Sequence, residues 1–348
     1  MHLADLPTPA AAVDLDRVEA NCRWMKDRAS TLEVRLRPHV KTHKCPELAR
    51  LQTDGEAVTV STLAEAHGFA GHFPDLLYAV PLAPDRAEEA ASIRGLTVLV
   101  DSEEAIRALR QPAMLKIDCG YHRAGVPPER ALPLARALDE RGYFAGLLTH
   151  AGHSYDARDL GEVRRIAAEE RDVMVALAAE LRAAGLEVPC VSIGSTPTLR
   201  QVDHLAGIDE IRPGNYVFFD GCQTALESCT AEQEALCVVS SVVGVYPWRD
   251  AAVLDAGALA LSKDRGATHR GARGYGRVTD LEGRPLPVAL SGLSQEHGKL
   301  HGAVGGLRVG QKVLVWPQHS CLAAGAHGRL HAHRAGRVEA SWPTVRGW

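Results

Sequence analysis

Short apolar runs alternate with longer amphipathic stretches along most of the chain. Each run ends in polar residues or glycine and precedes a stretch rich in Ala, Leu, Glu and Arg. Short runs of this kind predict buried strands, and the longer stretches predict helices. The predicted strands cover residues 34–40, 57–61, 76–80, 97–101, 114–119, 144–150, 190–194 and 210–216. The predicted helices include residues 63–71, 85–93, 103–110, 128–141, 160–184 and 198–204.

Strands that alternate with helices predict βαβ units and a parallel sheet. An open doubly wound sheet gives the same local pattern, but a count of eight units favours a (β/α)8 barrel. After residue 235 the helical periodicity fades, and short strands separated by Gly, Pro and Asp predict an antiparallel β-domain. We therefore predict an α/β protein with a barrel over residues 8–235 and a β-domain over residues 236–348, which residues 1–7 could join.

Composition narrows the class of protein. The chain has 348 residues, of which 46% are hydrophobic, enough for a large core. The net charge is −4 and no long basic run is present, which argues against a nucleic-acid partner. No signal peptide and no apolar stretch of about 20 residues is visible. The eight cysteines are scattered, which indicates reduced thiols. We expect a cytoplasmic protein that does not bind membranes.

Candidate chemistry lies where the barrel strands end. In such barrels the active site is at the C-terminal ends of the strands, and phosphate is commonly held after strands seven and eight. The turns there contain Gly194, Ser195 and Thr196, and Gly214, Asn215 and Tyr216, whose hydroxyl and backbone N–H groups suit a phosphate dianion. Each turn alone is better explained by helix capping, but the two together favour phosphate.

Lys41 follows the first predicted strand and is a candidate for covalent chemistry. Neighbouring cations would lower its pKa toward that of a nucleophilic amine. The alternative is a solvated surface lysine, and these residues alone do not distinguish Lys41 from Lys44. Arg123 follows strand five between glycines, and His150 ends strand six. Either of these two could instead have a purely structural role.

His319 and Cys321 lie two residues apart in the predicted β-domain. On an extended strand their side chains would share one face and could bind one metal ion, most readily zinc. Two protein ligands leave coordination positions open for water or substrate. The alternative, a core cysteine beside a surface histidine, is the more common explanation for an arbitrary pair of this kind.

The sequence resembles the D-serine dehydratase and D-threonine aldolase family, pyridoxal-phosphate enzymes with an alanine-racemase-like fold. The matching segments run in order through nearly the whole chain: RPHVKTHK, KIDCGYHRAG, SIGSTPT, EIRPGNYVFFD, LDAGALALSKD, SQEHG and PQHSC. One departure is Gln295, which stands where an acidic residue is commoner. The resemblance implies a barrel that holds the cofactor, a β-domain that supplies a metal ion, and a homodimer.

The resemblance also implies roles for individual residues. Lys41 matches the lysine that forms a Schiff base with the cofactor, and Arg123 matches the arginine near the phenolic oxygen. Tyr155 and Arg212 are candidate neighbours of the pyridine nitrogen. The residues expected to contact or adjoin the phosphate are Gly194, Ser195, Thr196, Gly214, Asn215 and Tyr216.

Within this family the pairing of His319 with a cysteine, rather than an aspartate, favours dehydration over aldol cleavage. We therefore expect a lyase that converts D-serine to pyruvate and ammonia, with zinc or another divalent cation at His319 and Cys321. The alternatives are a D-threonine aldolase, a D-3-hydroxyaspartate aldolase or dehydratase, and a non-catalytic protein that only binds pyridoxal phosphate. Such non-catalytic relatives are generally a lone barrel.

Overall fold

The computed structural model describes residues 1–54 and 56–348, which form two compact units. One unit contains residues 23–41, 46–214 and 345–348, and the other contains residues 1–22, 42–45 and 215–344. The chain begins with strand β1 (Ala10–Asp14) and helix α1 (Leu15–Thr31). The sequence predicted one boundary after residue 235, whereas the compact units interleave along the chain. The assignment of residues 8–235 and 236–348 to two domains stays a prediction.

The first unit contains a parallel sheet of eight strands, as the alternating pattern predicted. Its strands are β2 (Arg35–Leu36), β3 (Ala57–Val60), β4 (Asp75–Pro81), β5 (Leu96–Val100), β6 (Ala113–Lys116), β7 (Phe144–Leu148), β8 (Val191–Ile193) and β9 (Glu210–Ile211). Neighbouring strands follow the chain from β3 to β9, and β9 pairs with β2. A parallel bridge between His39 and Thr59 joins the two ends of this order, so the sheet closes into a barrel.

Helices follow the strands of this barrel. They are α2 (Pro46–Gln52), α3 (Leu63–Ala70), α4 (Ala87–Ala91), α5 (Glu103–Ala108), α6 (Ala131–Asp139), α7 (Leu160–Ala183) and α8 (Thr196–Gln201). Side chains from four strands, Leu77, Leu99, Met114 and Leu148, pack together in its core. Burying such side chains supplies the hydrophobic stabilisation of the barrel.

Two barrel strands are only two residues long, far shorter than predicted. The strand expected over residues 34–40 is only β2, and the one expected over residues 210–216 is only β9. Pro38 and Pro213 follow these strands, and proline cannot donate to the ladder of hydrogen bonds. A 3-10 turn, Val40–Thr42, therefore contains Lys41, and a second, Asn215–Val217, contains Asn215 and Tyr216.

The second unit is built on a mostly antiparallel sheet of nine strands, as predicted for the C-terminal region. Besides β1, its strands are β10 (Leu236–Tyr246), β11 (Ala251–Leu254), β12 (Gly276–Thr279), β13 (Val288–Leu293), β14 (Gly298–Gly302), β15 (Lys312–Pro317), β16 (Arg329–Arg334) and β17 (Arg337–Pro343). Its helices are α9 (Gly221–Ala225), α10 (Ala258–Leu261) and α11 (Ser320–Ala326). Strand β1 pairs antiparallel with β10 and parallel with β16. Across the described part of the chain, no helix has both the length and the apolar composition needed to cross a membrane.

Candidate active site

Lys41 lies in the 3-10 turn Val40–Thr42, beyond the C-terminal end of the first barrel strand, β2. Its side chain is exposed in the single chain, but its charge acts on two histidines of the same unit. Burial, followed by the charge of Lys41, holds the pKa of both His39 and His150 well below the usual value. Both rings are therefore neutral at pH 7. The structure thus brings Lys41 close to His150, which follows β7, the sixth strand of the barrel. The sequence predicted both residues at the same edge of the barrel.

His150 connects the lysine region to the predicted phosphate turn. Its Nδ1–H donates to the carbonyl of Gly194 at 3.1 Å, because a carbonyl oxygen can only accept. The ring of Tyr121 lies edge-on to His150, with ring centroids 6.0 Å apart. The guanidinium of Arg123 lies 4.8 Å from the centroid of the Tyr121 ring. Arg123 is therefore linked to the barrel mouth through this aromatic contact.

The turn after β8, the seventh strand of the barrel, contains two hydroxyl groups. One is hydrogen-bonded within the protein, and the other has no partner among the described residues. Ser195 is the N-cap of α8: its hydroxyl accepts from the N–H of Thr198, so the capping explanation holds for this residue. It also contacts the Ser154 hydroxyl at 3.1 Å. The buried Oγ1 of Thr196 has no hydrogen-bond partner among the described residues. Gly194 has φ +115°, which side-chain-bearing residues rarely adopt.

Arg212 is held inside the barrel. Its Nε donates to the Ser192 hydroxyl at 2.8 Å, and its Nη2 donates to the carbonyl of Thr149. Burial lowers the pKa of Arg212 to about 10 despite the opposing charge of Glu210. The role beside the pyridine nitrogen stays a prediction for Arg212. It also stays a prediction for Tyr155, which is half-buried in the 3-10 turn Gly152–Asp156.

The candidate phosphate residues after β9, the eighth strand of the barrel, fall in different units. Gly214 is buried in the barrel unit, whereas Asn215 and Tyr216 belong to the other unit. The Asn215 amide donates to Asp220 at 2.7 Å, to Ser320 at 3.1 Å and to the sulfur of Cys321 at 3.6 Å. Its place beside Cys321 was not expected from the sequence. The phosphate contacts of these three residues stay predictions.

His319 and Cys321 are in contact, but not on one face of a strand as predicted. Strand β15 ends at Pro317, His319 is the N-cap of α11, and Cys321 lies in the first turn of that helix. The Nδ1–H of His319 donates to Asp264 at 2.7 Å, and the Cys321 thiol contacts the Thr42 hydroxyl at 3.3 Å. The helical turn, rather than the strand period, brings the pair together.

The hydrogen-bonded pair favours a Cys321 thiolate beside a His319 imidazolium, and the imidazolium would lose its proton if the ring bound a metal ion. Burial would lower the pKa of His319, but its hydrogen bonds to Asp264 and Cys321 raise that pKa to about 11. Burial would raise the pKa of Cys321, but the bonded His319 lowers it overall. A carboxylate that orients a histidine through its second ring nitrogen is a common partner of metal-binding histidines. Within residues 1–54 and 56–348, no group of three His, Cys, Asp or Glu side chains is placed to hold a metal ion.

Several residues at these sites were not predicted. Lys116 and Glu170 are buried near Arg212 in the barrel unit, and Asp264 holds His319 in the other. Asp264 is the last residue of the segment LDAGALALSKD, which contributed to the family resemblance. Its residue type alone does not distinguish it from the other aspartates of the chain. Nothing in the helical pattern distinguishes Glu170.

The barrel and β-unit correspond to two known protein families. The family model for the alanine racemase N-terminal domain matches residues 13–221, and that for a putative serine dehydratase domain matches residues 235–333. An alanine racemase from Bacillus anthracis shares the fold, with a TM-score of 0.71 at 14% identity over 97% of this chain and 98% of that one. The predicted fold class is therefore confirmed.

More similar proteins define the family more narrowly. D-threo-3-hydroxyaspartate dehydratase from Delftia is 38% identical over 99% of both chains, and its solved structure superimposes with a TM-score of 0.93. D-serine dehydratase from Dictyostelium discoideum is 33% identical over 94% of this chain and 93% of its own. The chain belongs to the family of pyridoxal-phosphate-dependent dehydratases and aldolases built on the alanine racemase fold. The resemblance predicted from the motifs is confirmed.

Two solved structures of a D-threo-3-hydroxyaspartate dehydratase carry single substitutions. One has a cysteine replaced by alanine and is described as metal-free, and the other has a histidine replaced by alanine. The replaced histidine and cysteine lie two positions apart, as His319 and Cys321 do here.

Proposed function

We propose that this protein eliminates water from β-hydroxy D-amino acids, using pyridoxal phosphate and a divalent metal ion. Hydrolysis of the resulting enamine would then release ammonia and leave a keto acid. The observation that carries the proposal is the His319–Cys321 pair in contact, oriented by Asp264. Its two-residue spacing matches that of the histidine and cysteine substituted in the related dehydratase. D-serine is the substrate favoured by the sequence. D-threo-3-hydroxyaspartate is the second candidate because the Delftia dehydratase is 38% identical.

The residues present in the barrel unit fit pyridoxal phosphate. The buried Thr196 hydroxyl lacks a protein partner and could bind a phosphate oxygen, together with the turn at Gly194 and Ser195. Lys41 would hold the aldehyde carbon through its amine, and Arg123 would face the phenolic oxygen. The bound cofactor would supply an electron sink for charge that develops at Cα.

Lys41 would then act as the general base. Its Nζ, once released by the incoming substrate amine, would take the proton from Cα. His39 and His150, both neutral, add no positive charge beside this amine.

The residues of the other unit fit a metal ion such as zinc. A thiolate from Cys321 and an imidazole from His319 are ligands that zinc prefers, and Asp264 fixes the orientation of the imidazole. A bound metal would supply a Lewis acid for the substrate hydroxyl as it leaves. With two protein ligands, coordination positions stay open for that hydroxyl and for water.

Product analysis tests the reaction. Enzyme incubated with D-serine, D-threo-3-hydroxyaspartate and D-threonine should give keto acid and ammonia from at least one of the first two. Glycine and an aldehyde would instead show an aldolase. Activity should be lost with EDTA and return with zinc. Full activity after EDTA treatment would disprove the metal's role. A racemase reaction, which needs no metal ion, would survive the same treatment.

Lysine variants test the cofactor site. Borohydride should reduce the Schiff base and so attach the cofactor covalently to the wild-type protein and to Lys44→Ala, but not to Lys41→Ala. The cofactor's absorbance in the denatured protein measures this attachment. Lys44 is the matched control because the residues alone did not distinguish the two lysines. Fixation to Lys41→Ala but not to Lys44→Ala would reassign the role.

A non-catalytic pyridoxal-phosphate-binding protein is the alternative from another class. Such proteins are generally a lone barrel, whereas this chain has a second unit that matches a serine dehydratase domain. The second unit therefore favours catalysis. Zinc as the native metal, the homodimer and the cytoplasmic location stay predictions.

A further inference from the structure

One carboxyl side chain, that of Glu170, lies on the buried face of helix α7. That face otherwise carries apolar residues, among them Ala167 and Met174 on the turns before and after. Glu170 is 1% exposed, and its Oε2 has no hydrogen-bond partner among the described residues. Burying a carboxylate without full hydrogen bonding is costly, so its presence requires an explanation other than core packing.

The other carboxylate oxygen joins two loops at the barrel mouth. Oε1 of Glu170 accepts the N–H of Ala151 at 2.8 Å and the N–H of Gly194 at 3.2 Å. Ala151 follows strand β7, and Gly194 follows strand β8 and opens the predicted phosphate turn. These strands are neighbours in the barrel, so one oxygen fixes the exits of both.

A closed ring of hydrogen bonds results. Gly194 donates its N–H to Glu170 and accepts at its carbonyl from the Nδ1–H of His150. His150 is covalently joined to Ala151, which donates to the same oxygen of Glu170. The phosphate turn is thus tied both to the buried carboxylate and to the His150 ring, and a shift of Gly194 would break one of these bonds.

We propose that Glu170 is a positioning residue that locks the phosphate turn at Gly194 and the His150 ring in the arrangement needed to receive the cofactor. The inference rests on the proposed function for the identity of the ligand, but the lock itself exists without ligand. An apolar residue at position 170 could fill the same space, yet it would leave two buried backbone N–H groups without acceptors.

Amide hydrogen exchange in the cofactor-free protein tests the lock directly. In Glu170→Leu, exchange at Ala151 and Gly194 should accelerate at least tenfold, while Glu170→Gln, which keeps an acceptor oxygen, should stay near wild type. Glu169→Leu is the matched control because Glu169 is exposed on the same helix. If Glu170→Leu does not fold, Glu170→Asp replaces it, since its shorter side chain cannot reach both N–H groups.

Cofactor binding is the second measurement. The dissociation constant for pyridoxal phosphate, from absorbance titration, should rise about tenfold or more in Glu170→Leu or Glu170→Asp, and rescue should appear in Glu170→Gln. Unchanged exchange and unchanged binding in the folded variants would overturn the proposal. Faster exchange with unchanged cofactor affinity would also overturn it, because the lock would then serve stability alone. Failure of the wild type to bind pyridoxal phosphate would instead overturn the proposed function.

Discussion

The buried ammonium of Lys116 should make a measurable contribution to the pH dependence of stability. Lys116 is the last residue of β6 and is 6% exposed. Burial, followed by the charge of Arg212, lowers the pKa of Lys116 from 10.5 to about 8. At about 1.4 kcal/mol per unit of pKa difference, this charge costs the folded protein about 3 kcal/mol at pH 7. Lys116→Met, which keeps the length without the charge, should remove that cost.

The sign of the pH dependence follows from proton binding. Between pH 8 and 10.5 the unfolded chain holds more protons at residue 116 than the folded protein does, so the free energy of unfolding rises with pH. The penalty is fully present below pH 8 and disappears above pH 10.5. The advantage of Lys116→Met should therefore be largest at neutral pH and fall to about half by about pH 9.5.

Urea unfolding of the cofactor-free and metal-free proteins, followed by circular dichroism from about pH 7 to about pH 9.5, measures this difference. Titrating groups that do not interact with Lys116 cancel because wild type and variant are compared at each pH. Lys299→Met, at an exposed strand position, should show no such trend. An advantage that does not change with pH, or a variant less stable than wild type at pH 7, would refute the reasoning.

Three further predictions concern single side chains. Thr196→Val should leave the free energy of unfolding unchanged or higher, because Oγ1 loses no protein partner, yet weaken pyridoxal phosphate binding about tenfold in a titration. Leu99→Ala should lower the free energy of unfolding in urea by about 2–5 kcal/mol, and a loss below about 1 kcal/mol would contradict the packed barrel core. Cys321→Ala should retain at most a tenth of the bound metal after dialysis, measured by mass spectrometry, whereas Cys222→Ala should retain it; equal retention would disprove the metal site.

The sequence alone determined the alternation of strands and helices, the eight-stranded barrel and the change to an antiparallel sheet. These features depend on local periodicity, which neighbouring residues encode. The ordered motifs likewise predicted the family, and position after a strand placed Lys41 and Gly194 at the barrel mouth. The lengths of β2 and β9 were less accurate, because a proline within each strand-like run removes one backbone donor from the ladder.

The tertiary structure decided what surrounds each functional group. Glu170 acts on Gly194, and Asp264 on His319, across many intervening residues, and no local pattern encodes either contact. The lowered pKa of Lys116 likewise depends on burial and on Arg212, which only the closed barrel brings near. Hydrogen bonds and charges act through space, so their partners are fixed when the chain folds and not by spacing along it.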